Sequence, residues 1–252
     1  MTGETHRAGG MFCSVVGFVL LKNNGLLLQD VNELVQFAVI YPFCMWGSTA
    51  SDLDHNPESC PSRDIVSTCI NRALHITTPI YRKLDESLTS AQKRTNVIYK
   101  VSKLLSANHR SWQTHSDLTL FLFLYILYRI LHNNLSSSLN VIDNVILSLV
   151  MIGITLGIIS HFVLDMLTPE GVWCTIGVIL NKLVGIVRRH KVKLFPEKLH
   201  VVPKSKFFAT GSNWEMFIQK VLKVLTVVAV IYLVGWVIFP QLGDIIPYEI
   251  SF

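Results

Sequence analysis

Five apolar stretches spread along the whole chain limit what it can fold into. They cover residues 5–21, 34–50, 118–131, 141–167 and 221–239. A helix needs roughly 20 mainly apolar residues, and at least about 17, to cross the hydrocarbon core of a bilayer. The third stretch, LTLFLFLYILYRIL, is short but very apolar, and the fourth is stopped by Pro169 and Gly171. Asn23-Asn24-Gly25 marks a turn after the first stretch, and Pro240 closes the fifth. Only 15% of the 252 residues are charged, where soluble domains carry about a quarter. The mean hydropathy is +0.44. The chain therefore reads as all-α: a multi-span helical membrane protein of about five spans, with residues 1–252 forming one membrane domain.

The charges follow these stretches. Nine lysines and arginines, from Arg63 to Arg110, lie between the second and third, and eight, from Lys182 to Lys206, between the fourth and fifth. Arg7, Lys220 and Lys223 fall on that same side, leaving Lys22 and Arg129 for the other. The positive-inside rule then predicts a cytoplasmic N-terminus, two cytoplasmic loops and an external C-terminus. This accounts for the net charge of +5 without a nucleic-acid partner. Arg7 precedes the apolar run 11–21, which lacks a small-residue cleavage site before Lys22, so the first stretch is read as a retained span rather than a signal peptide.

Residues 56–108 form a cytoplasmic insertion. Helical spacing of apolar residues at 64–74 and 97–105 predicts two or three short helices there, with a basic face that is solvated or rests on anionic headgroups. Residues 171–216 form a second basic loop; its apolar part, 171–187, carries Asn181 and Lys182 and reads as an interfacial or re-entrant helix. The five cysteines are odd in number and contain no CxxC, so they read as reduced packing residues.

Histidines and aspartates collect at the ends of these stretches, all on the predicted cytoplasmic side. Ionisable groups at such places are costly and mark function, and imidazole with carboxylate is the common ligand set of catalytic transition metals. His6 opens the first stretch. Asp52, Asp54 and His55 follow the second; they suit one metal or two, or a capped turn. His109 and His115 flank a turn into the third, as ligands or as interfacial residues beside Trp112, and Arg110 between them can neutralise charge on a phosphoryl oxygen. His161 and Asp165 share one helix face at i, i+4, either paired with each other or holding a metal. Glu215 completes Ser212-x-x-Glu215, a capping box. His75, His132, His190 and His200 have no partner pattern and read as surface or interfacial residues.

Taken in order, His6, SDLDH at 51–55, HR-x3-THS at 109–116 and SHFVLDMLTPEGV at 160–172 resemble the YdjM-like bacterial inner-membrane, metal-dependent hydrolases. Those are distantly similar to zinc-dependent phospholipase C and P1-type nucleases. The resemblance departs at Ser51, where proline is usual, and in one extra residue between His109 and His115. It implies His6, Asp52, Asp54, His55, His109, His115, His161 and Asp165 as metal ligands, and a bacterial or phage-encoded protein.

The expected function is hydrolysis of a phosphoester, a phospholipid or lipid-linked phosphate, at the cytoplasmic face. Two or more divalent ions, zinc or else manganese, would act with Asp52, Asp54 and Arg110 in the chemistry. The alternative is a non-catalytic, metal-stabilised interaction protein, phage- or stress-associated. A transporter fits less well, because transport sites lie near the midplane.

Overall fold

The structure is a computed structural model and describes residues 2–28, 31–50, 52, 65–106, 114–135, 145–169, 171–188, 193–199 and 211–235. Within these it is helical apart from one short two-stranded ribbon. Helix α1 (Gly3–Asn23) ends at the anticipated turn. Asn24 donates its backbone N–H to Leu20 O at 3.1 Å, and Gly25 adopts φ 65°, which glycine reaches without a Cβ penalty. The chain then returns as α2 (Glu33–Ala50). Gln36 is fully buried and fastens the return, donating Nε2 to Leu28 O (2.8 Å) and Val31 O (2.7 Å). Lys22 pairs with Glu33 at 2.6 Å across the same turn.

Next come the insertion helices α3 (Ile65–Leu74), α4 (Thr78–Ser87), α5 (Ser90–Thr95) and α6 (Val97–Leu105). That makes four among the described residues, where the sequence suggests two or three. The extra one, α5, is a single polar turn and a half held by a capping box of Thr89 and Gln92, so it carries no apolar period to read. Helix α7 (Asp117–Leu135) and α8 (Val145–Met166) follow. Strand β1 (Val172–Trp173) pairs antiparallel with β2 (Lys198–Leu199), and α9 (Thr175–Arg188) lies between them. The last helix is α10 (Asn213–Leu233). It starts at Asn213, before the apolar stretch counted from 221, because Ser212 caps it by accepting from Glu215 N, as the Ser212-x-x-Glu215 pattern indicates.

Helices α1, α2 and α8 pack together, α10 lies against α1, and α7 lies against α8. The α2–α8 seam is a contact between backbones. A Cβ on Gly47 would sit 2.4 Å from Ile154 O, and one on Gly157 2.2 Å from Cys44 O. Gly153 and Gly157 form a G-x-x-x-G ridge, the small-residue arrangement that lets membrane helices approach closely. Cys13 and Cys44 donate their thiols to Leu156 O and Gly10 O at 3.3 Å, and four cysteines (13, 44, 69 and 174) are free; Cys60 lies outside the described residues.

Among the described residues two helices are long and apolar enough to cross a membrane, α8 and α10. Helices α1, α2 and α7 have 21, 18 and 19 residues, about 27–32 Å at 1.5 Å per residue. They match the bilayer core in length, but their apolar sequence is diluted by the groups that pack them: Gly9, Gly10 and Ser14 in α1, Gln36, Pro42, Gly47 and Ser48 in α2. Helix α9 has 14 residues and is too short to span. Its Asn181 is satisfied by the returning strand, accepting from Leu194 N and Phe195 N and donating to Phe195 O, all at 2.9 Å.

Candidate metal centre

Helices α2 and α8 end where α1, α7 and α10 begin. His6 lies in the first turn of α1, Asp52 two residues beyond α2, His115 two before α7, and His161 and Asp165 in the last two turns of α8. The glycine seam brings the ends of α2 and α8 together. The β1 ribbon brings in His115: Trp173 donates its N–H to His115 O at 2.9 Å. Asp117 locks that junction, because its carboxylate accepts from Leu118 N (2.8 Å), Thr175 N (2.8 Å) and Ile176 N (3.4 Å), joining the starts of α7 and α9.

These five side chains meet in one cluster. Nε2 of His6 is 3.4 Å from Asp165 Oδ1. The other carboxylate oxygen, Oδ2, is 3.3 Å from Nε2 of His161 and 3.4 Å from Nε2 of His115. Asp52 Oδ1 lies 3.6 Å from His115 Nε2 and 3.8 Å from His161 Nε2, and those two nitrogens are 3.1 Å apart. The His6 and His161 rings stack with centroids 3.9 Å apart. Four of the five are almost completely buried; the Asp52 side chain is 19% exposed and marks the open side.

The donor set fits a divalent ion. Ligands about 2.0–2.1 Å from a tetrahedral zinc lie ~3.3 Å from one another, which matches the 3.1–3.8 Å separations seen here. Two triads, His6/Asp52/His161 and His115/His161/Asp165, each present one donor atom per residue within 4.8 Å of the others. His161 Nδ1 donates to Ser48 O at 2.7 Å, which fixes the tautomer and leaves Nε2 a free lone pair aimed at the cluster. His115 Nδ1 likewise faces Thr114 Oγ1 at 3.0 Å. Two such lone pairs repel at 3.1 Å unless a cation or proton lies between them. His6 Nδ1 is buried and has no hydrogen-bond partner among the described residues, a cost that argues for a function. Burial alone would raise the Asp52 carboxyl; the imidazoles of His161, His115 and His6 around it outweigh that and hold it well below the ordinary carboxylate range.

Of the residues singled out from the sequence, His6, Asp52, His115, His161 and Asp165 are together. Asp54, His55, His109 and Arg110 lie outside the described residues. Asp52 follows the end of α2 and faces imidazoles, and the turn it was expected to cap lies outside the described residues. His161 and Asp165 do pair with each other at 3.3 Å, but within the larger group. His75 contacts Thr78 and His132 stacks on Tyr128, both away from the cluster; His190 and His200 are outside the described residues.

Glu215 is fully buried and does more than cap its own helix. Ser212 Oγ accepts from Glu215 N at 3.2 Å, while the carboxylate accepts from Gly211 N (2.6 Å), Thr5 Oγ1 (2.9 Å) and Thr2 N. It thereby ties α10 to the turn of α1 that carries His6. The seam glycines, the Ser48 carbonyl and Asp117 escaped the sequence reading. Only Gly153-x-x-x-Gly157 left a legible pattern there.

The model of the YdjM inner membrane protein family matches residues 1–241. The chain belongs to that family. No curated protein and no solved structure matches it. As a YdjM-family chain it is an inner-membrane protein, and its buried His/Asp triads are groups that could hold a metal ion.

Proposed function

We propose that this YdjM-family protein is a multi-pass, metal-dependent hydrolase of phosphoesters, acting on a phospholipid or lipid-linked phosphate at the cytoplasmic face. The observation that carries this reading is the meeting of His6, Asp52, His115, His161 and Asp165, from four separate segments, at the spacing of a coordination shell. Helices α1, α2, α7, α8 and α10 alternate in direction at the cluster, which supports five passes. The lysine and arginine distribution supports a cytoplasmic N-terminus, and with it a cytoplasmic site.

His6, His115 and His161 would supply imidazole ligands, Asp165 a buried carboxylate ligand, and Asp52 a ligand on the accessible side. Divalent metal, zinc or else manganese, would supply activated water and Lewis acidity to a phosphoester. Ser48 holds the His161 ring in the ligating tautomer, and the buried walls exclude bulk water from all but the Asp52 side. Asp54, His55 and His109 complete the proposed ligand set. Asp52 or Asp54 would act as general base, and Arg110 would orient the anionic group.

The experiment is metal analysis of the purified protein together with a phosphoester screen. Wild type is expected to hold divalent metal and turn over a phosphoester until chelated. His161→Ala and Asp165→Ala should lose both while keeping their helical spectrum; full activity in both variants would sink the reading. The extra residue between His109 and His115 favours a second reading, a non-catalytic metal-stabilised protein. It predicts bound metal and a chelator-sensitive Tm with no turnover.

A further inference from the structure

The insertion is built inside out. Among the described side chains of α6, Tyr99 and Ser102 are buried, followed by Ser106, whereas Val97 (70% exposed), Ile98, Val101 and Leu105 face outward. Positions 97, 101 and 105 repeat at i, i+4, so they form one stripe. Helix α3 does the same: Ser67 and Asn71 are buried while Ile65 (83% exposed), Val66 and Ile70 point away. At the start of α4, Thr78 is buried and Ile76 (73% exposed) and Ile80 are not.

The three buried serines are satisfied. Ser102 and Ser106 donate to Tyr99 O (3.1 Å) and Lys103 O (3.0 Å), and Ser67 accepts from Trp46 Nε1 (3.1 Å). A helical unit surrounded by water turns its aliphatic faces inward. The reverse is stable only where the medium around those faces is itself apolar, and a contiguous exposed apolar surface of this kind marks an interaction site.

We propose that α3–α6 is an interfacial lipid-binding module, with the apolar stripes of α3 and α6 sunk into the acyl boundary of the bilayer that the long helices cross. Its helices have 6 to 10 residues, about 9–15 Å at 1.5 Å per residue. That is half the hydrocarbon core or less, so they lie along the surface and do not cross it. The Trp46–Ser67 hydrogen bond fixes α3 to the last turns of α2, which places the stripe at a helix end of an inner-membrane protein. Exposed Arg72 and Lys100 flank the stripes and suit anionic headgroups. A second copy docked face to face would set these cations against each other.

The test puts the photo-crosslinker benzoylphenylalanine at Val66, at Val101, or at exposed Glu86 as control. The full-length protein is placed in vesicles of phosphatidylcholine with phosphatidylglycerol, irradiated, and its adducts identified by intact mass. Lipid adducts several-fold more abundant at Val66 and Val101 than at Glu86 are expected, falling when Arg72→Glu and Lys100→Glu are combined. Ile98, on the same stripe, serves as a replacement if either position impairs folding. Lipid adducts at parity with Glu86, or a chain-to-chain adduct from a second copy, would overturn the proposal.

Discussion

Helices α8 and α10 have 22 and 21 residues and pass the same test of length and apolarity, yet 56% of the most apolar stretch of α8 is buried and only 11% of that of α10. The difference lies in the small and polar side chains that hydropathy averages away. Helix α8 carries Gly153 and Gly157, against which α2 lies backbone to backbone, and Ser148, Thr155 and Ser160 are buried along it. Helix α10 turns Val224, Val227, Val228 and Ile231 outward and reaches the core mainly through Glu215, Thr226 and Leu233. One helix is an inner wall that ends in His161 and Asp165 of the candidate metal centre. The other is an outer staff, fastened at its first turn, and its exposed valines need no protein partner if lipid surrounds them.

The harshest way to break this contrast is Gly157→Val. Its Cβ would fall 2.2 Å from a backbone carbonyl that has no rotamer to escape into. Loss of ~1–3 kcal/mol or more is expected from overpacking, read as a lower Tm in detergent, with metal content falling because the α2 and α8 ends part. A variant with wild-type Tm would mean that the seam is not closed in the membrane.

Glu215→Ala tests the fastening of α10. It strips an acceptor from Thr5 Oγ1, Gly211 N and Thr2 N, a cost of about 1–3 kcal/mol. Because the same turn carries His6, metal content should drop as well; an unchanged content would confine Glu215 to capping. Val228→Leu, on the outer face of α10, should sharpen the contrast by changing the unfolding free energy less than ~0.5 kcal/mol. A larger loss would place a protein neighbour on that face.

Helix placement was largely legible. The apolar runs located α1, α2, α7, α8 and α10, and the spacing at 97–105 coincides with α6. The start of α10 was marked by Ser212-x-x-Glu215, whose serine caps it, whereas the short α5 was not legible, because it has no apolar period. At the site, His6, Asp52, His115, His161 and Asp165 stood out because imidazoles and carboxylates are out of place beside apolar runs. Their supports did not stand out. The Ser48 carbonyl is a backbone atom, Asp117 looks like any residue at a helix start, and Glu215 fits a capping box without reference to α1. The inverted faces of α3 and α6 were hidden for a related reason: periodicity reports that a helix has two faces, and only packing says which of them is inside.

By itself the sequence determined that the chain is helical and apolar enough for a membrane, and which side chains could ligate a metal, because composition and period act locally. The tertiary structure alone decided that residues as far apart as 6 and 165 share one shell, that α8 is interior while α10 is not, and that the insertion turns its aliphatic side outward. The shared cluster and the burial of α8 depend on how closely two backbones can approach, and that distance is set by glycines on helices far apart in the chain; the insertion has no glycine, and its orientation depends on which face finds a neighbour.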